Sequence, residues 1–128
     1  MKKLNSRDIL AQVDLVSNAE GVDRFTALMR VQIGHIQGLI SPPELTALLE
    51  VAREYWETDK RDPDALLAAK AKCWEYLDPI PMRQHLDTPE ARYARALLCV
   101  LDPPRDGDIE EELHDTAEWF ALVAWGTY

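Results

Sequence analysis

Three observations predict an all-α fold, a single domain spanning residues 1–128 and built from about six helices. Leu and Ala together number 32, against 13 for Val and Ile. Unbranched side chains keep their rotamer freedom in a helix, whereas β-branched ones lose it. Apolar residues recur at three- and four-residue steps along most of the chain, and cap-and-proline signals separate the runs at Ser41-Pro42, Asp62-Pro63 and Thr88-Pro89. A chain of 128 residues, 47% of them apolar, buries roughly two-thirds of its unfolded surface in one core.

The elements follow in order. Ser6 is placed to cap a first helix whose inner side is Ile9, Leu10, Val13 and Val16, and Asn18 to Gly21 end it. Asp23 caps a second, in which Val22, Phe25, Met29, Ile33 and Ile36 keep the helical step. Gly34 and Gly38 weaken its end; their spacing suits close helix packing or fraying into the next loop, while Arg30, Gln32, His35 and Gln37 exclude lipid surroundings. Ser41-Pro42-Pro43-Glu44 reads as a capping box with proline in the first helical position. Leu45, Leu48, Leu49, Ala52 and Trp56 then form a buried stripe.

Asp62-Pro63 starts a fourth helix through Leu66, Ala69, Cys73, Trp74 and Leu77. Thr88-Pro89-Glu90 starts a fifth, with Ala91, Ala94, Leu97, Leu98 and Leu101 in register. Asp106 or Asp108 starts the sixth, whose inner side is Ile109, Leu113, Ala117, Phe120 and Ala124. Prolines at 79, 81, 103 and 104 separate the last three helices. The intervals between the start signals are unequal, so no solenoid repeat is expected.

Charge gives the first functional information. The net charge is −9, but residues 1–40 carry +1 and residues 41–128 carry −10. Eight carboxylates lie between Asp102 and Glu118, opposed only by Arg105. Such a surface repels nucleic acid and anionic lipid and attracts basic proteins. The acids at 110, 111, 115 and 118 lie off the apolar side of the last helix. Trp119, beside Glu118, has the composition of a binding hot spot, although packing against a neighbouring helix is the better account of it. The candidate partner-binding residues are therefore Asp106, Asp108, Glu110, Glu111, Asp115, Glu118 and Trp119, with Glu57, Asp59, Asp62 and Asp64 as a conceivable extension.

Catalytic patterns are missing from the sequence. Cys73 and Cys99 lie in apolar helical stretches without a CxxC, which reads as reduced core thiols. No nucleophile elbow or phosphate-cradling glycine loop occurs. Glu111 and His114 have Glu-x-x-His spacing, but a di-metal bundle needs a second such pair, and neither His35 nor His85 supplies it. A solvated polar face accounts for Glu110, His114 and Glu118. No enzyme activity, metal or other cofactor is expected. The N-terminal MKKLNSRDIL lacks an apolar core for export, and the run from Trp119 to Trp125 is far short of the roughly 20 residues of a membrane span. A cytoplasmic location follows.

A small, acidic, helical chain of this kind resembles the immunity proteins that bacteria pair with toxins. The stretch TPEARYARALLCVL, followed by an acidic helix ending in AEWFALVAWG, resembles small bacterial proteins of that type. The resemblance implies a non-catalytic protein that neutralises a cognate toxin, many of which are nucleases with basic clefts. A helical adaptor or secretion chaperone, or a phage-encoded nucleic-acid mimic, is the alternative. The acids could also serve solubility alone.

Overall fold

The computed structural model describes residues 5–58, 60–84, 87–102 and 109–125. Among them are six α-helices and no strand: α1 (Ser6–Glu20), α2 (Arg24–Ile36), α3 (Pro43–Glu57), α4 (Pro63–Leu77), α5 (Pro89–Leu98) and α6 (Ile109–Trp125), with a short 3₁₀ turn at Met82–Gln84. The all-α, one-core reading holds. No helix among the described residues is long and apolar enough to cross a membrane.

The helices start where polar side chains meet orphan backbone N–H groups. Asp23 accepts from the Thr26 N–H, Asp62 from those of Asp64 and Ala65, and Thr88 from that of Ala91. Two starts differ from expectation. Asn5, not Ser6, caps α1: its side chain accepts from the Asp8 N–H, and the Asp8 carboxylate accepts from the Asn5 N–H. Ser41 caps nothing, because Pro42 is the cap residue of α3 and no side chain closes that end. A residue preceding proline is pushed out of the helical region. Pro42 precedes Pro43, takes ψ 131°, and so shifts the helix start one residue beyond the reach of Ser41. The left-handed C-cap of α1 is Gly21, at φ 67°, where glycine escapes the Cβ clash that other residues meet.

Helix α2 is the axis of the bundle. Nine of its 13 residues are buried, and a helix buried on most sides belongs inside. It packs against α1, α3, α5 and α6; α4 packs outside, on α3 and α5. Most of the predicted stripes are buried: Ile9 and Val13, with Leu10 and Val16 only partly covered; Leu45, Leu48, Leu49, Ala52 and Trp56; Leu66, Ala69, Cys73 and Leu77; and Leu113, Ala117, Phe120 and Ala124. Trp56 anchors the centre. It is fully buried, donates from Nε1 to the Val100 carbonyl at 2.9 Å, and meets the Phe25 ring at 5.8 Å and the Tyr55 ring at 4.7 Å.

Further details depart from the sequence reading. Helix α5 ends at Leu98, so Val100 and Leu101 enter the core from a turn and Cys99 is a helix cap rather than a mid-helix residue. Trp74 is only partly buried. Of the two readings of Gly34 and Gly38, close packing inside the chain is not seen, since a Cβ at either position would meet nothing within 4 Å, whereas the helix does end there: α2 stops at Ile36 and Gly38 lies in the turn beyond it.

Candidate functional site: the acidic face of the last helix

Helix α6 presents opposite sides to the core and to water. Leu113, Ala117, Phe120, Ala121 and Ala124 are buried, and α6 packs them against α1, α2 and α5. Glu111, Asp115 and Glu118 follow one another at steps of four and three, so they stack on one exposed side. His114 is exposed beside them. Asp106, Asp108 and the side chain of Glu110 lie outside the described residues, as does Asp59. Thus three of the six predicted carboxylates are placed, and all three share one face.

The acids differ in what the helix itself asks of them. Glu111 and Glu112 sit in or near the first turn, where a carboxylate complements the positive end of the helix dipole. That effect dies away beyond the first turn. Asp115 and Glu118 lie past it, so the dipole does not account for them.

Trp119, about 100° round the helix from Glu118, is 38% exposed. Its ring is held by a cation: the Arg95 guanidinium lies 5.2 Å from the Trp119 centroid and 5.0 Å from that of Trp74. Arg95 therefore links α4, α5 and α6 through a Trp–Arg–Trp stack, each contact worth about 0.5–2 kcal/mol. Trp119 is both packed against its neighbours and open to a partner. Arg95 carries no signal in the sequence, because the contact joins positions far apart in the chain.

Beside Trp119 lies a groove of about 190 Å³. Phe25 and Met29 of α2 and Cys99 supply its apolar lining; Asp102, Glu112 and Asp115 supply carboxylates, and Trp119 forms a wall. Asp102 is ion-paired with Lys70 of α4. The suggested extension of the acidic surface falls on a different part of the bundle. Glu57 and Asp62 lie at the end of α3 and the start of α4, which pack on each other, whereas α6 packs on α1, α2 and α5. Glu57 is ion-paired with Arg53 at 3.1 Å.

The remaining chemistry is structural. Cys73 and Cys99 are free and buried; desolvation pushes both thiols up to about 12, against the opposing pull of Arg95. They are protonated at neutral pH and poor nucleophiles. Among the described residues no three His, Cys, Asp or Glu side chains converge to hold a metal. No family model, curated protein or solved structure matches the chain.

Proposed function

We propose that this chain is a non-catalytic binding protein of the immunity type, acting in the bacterial cytoplasm, that neutralises a basic, nuclease-type toxin domain through the acidic face of α6. The observation that carries the reading is the groove beside Trp119. Glu112, Asp115 and the Lys70-paired Asp102, with a partly exposed tryptophan, frame an apolar floor, which suits the aliphatic stem and charged head of a lysine or arginine side chain. Exposed Glu111 and Glu118 extend the negative field around it. A basic cleft built for a polyanion is steered to such a surface, and steering raises association to about 10⁸–10⁹ M⁻¹s⁻¹.

Affinity capture from the native host, washed at low and high salt and read by mass spectrometry, tests the proposal. The expected result is one stoichiometric partner with a basic domain, released by salt. Reversing Asp108, Glu111, Asp115 and Glu118 to Lys abolishes capture, while Trp119→Ala costs about 2 kcal/mol of binding. A complex that survives the fourfold reversal removes the α6 face from the interface.

A second reading, as a helical adaptor or secretion chaperone, draws on a separate feature. A groove of about 340 Å³ runs between α1 and α2 beside Leu15, which is 71% exposed. Recovery of many clients in the same capture, without a stoichiometric basic partner, favours that reading.

A further inference from the structure

The groove beside Trp119 contains a carboxylate that the molecule does not use for itself. Asp102, on one side of it, is ion-paired with Lys70. Asp115, on the other, is exposed and has no ion pair or hydrogen bond from its side chain among the described residues. It also lies past the first turn of α6, beyond the reach of the helix dipole. Asp115 and Trp119 are four residues apart on α6, so their side chains stand one above the other along the same wall. Phe25 and Met29 of α2 make the lining beside them apolar.

The Trp119 ring is only partly committed. Arg95 lies 5.2 Å from its centroid but does not line the groove, so the groove meets a part of the ring that Arg95 leaves uncovered. A bare stretch of aromatic ring with a carboxylate one turn away asks for a head group that is flat, cationic and able to donate along its edge. Guanidinium has all three properties. Its face stacks on an aromatic ring while its N–H groups form a fork to a carboxylate. An ammonium is compact and strongly hydrated, and reaching the same place beside Phe25 and Met29 strips that hydration away. The chain's own arginines already stack in this manner: Arg95 bridges Trp74 and Trp119, and Arg61 lies 5.5 Å from the centroids of both Tyr55 and Trp56.

We infer that this groove selects arginine over lysine, seating one arginine side chain of a protein partner with its guanidinium stacked on Trp119 and donating to Asp115. The inference rests on the reading of the α6 face as the seat of a basic partner, and adds which basic residue the groove takes.

Titration of the nitrogen-labelled full chain with two capped tripeptides of equal charge, glycine–arginine–glycine and glycine–lysine–glycine, tests it by nuclear magnetic resonance. The arginine peptide is expected to shift the Trp119 indole N–H and to bind at least about threefold more tightly than the lysine peptide. Asp115→Asn weakens the arginine peptide by about threefold. Trp119→Leu, followed through the backbone amides of α6, brings both peptides to the same weaker affinity. The indole N–H of Trp56, which donates inside the core to the Val100 carbonyl, keeps its position in every variant that is folded. Equal affinities in the wild type overturn the inference, as does an arginine preference that persists in Trp119→Leu or binding that Asp115→Asn leaves unchanged. The toxin reading fails separately. Host capture without a basic partner, beside a sustained arginine preference, defeats that reading and leaves this site standing. Capture of a basic partner by a groove indifferent to the two peptides does the reverse.

Discussion

Histidine 35 shows how one side chain couples burial to pH. It sits half-buried where three helices meet, with Nε2 2.7 Å from Gln12 Oε1 of α1 and its ring 5.3 Å from the Trp125 ring of α6. Both neighbours are neutral; the charged group lining the same groove is Arg30, on its own helix. Burial lowers the imidazole below its ordinary value of 6.5. The unfolded chain therefore binds a proton that the folded chain resists, and stability is lost as pH falls from about 6.5 through the lower folded value. Denaturant midpoints measured down through this window should fall more steeply for the wild type than for His35→Gln. Parallel profiles would mean that His35 titrates alike in both states. A neighbour, Gln32, is fully buried with its carbonyl oxygen unpartnered among the described residues, a polar residue that helical periodicity alone does not anticipate.

At the scale of elements, the helix starts separate what local sequence decides from what it does not. Asp62→Ala removes a side chain that accepts two backbone N–H groups, and should cost about 1 kcal/mol. Ser41→Ala removes a hydroxyl that caps nothing, and should change the denaturant midpoint by no more than a few tenths of a kcal/mol. Equal losses from the two variants would restore the capping box. The start of α3 was legible as a place and illegible as a mechanism, because the second proline moved it by one residue. The start of α1 was placed one residue late, at Ser6, although Asn5 and Asp8 stand three apart like the capping box they form. Buried stripes could be read directly from the three- and four-residue steps, including the inner side of α6 and hence its acidic outer side. The Trp74–Arg95–Trp119 stack and the burial of Trp125 could not be read, since each depends on which helices become neighbours.

Over the whole molecule, one variable distinguishes the charges within the chain from those across the proposed α6 interface. Carboxylates outnumber cations by 23 to 14, so ion pairs such as Arg24–Asp14 and Arg53–Glu50 leave many acids to repel one another. Exposed pairs contribute only about 0–1 kcal/mol each, whereas the excess charge acts on the entire folded shape. Salt shortens the reach of both to about 10 Å at 0.1 M, and the unbalanced repulsion has more to lose. Raising sodium chloride from low to moderate concentration should therefore raise the melting temperature of the dilute monomer. The α6 complex should respond in the opposite direction, because its attraction is between unlike charges. Thermal scans across a salt series check the first response, with binding measured in the same buffers. A melting temperature that falls with salt would mean that the ion pairs outweigh the repulsion, and the acidic surface would then belong to the fold's own stabilisation rather than being kept for a partner.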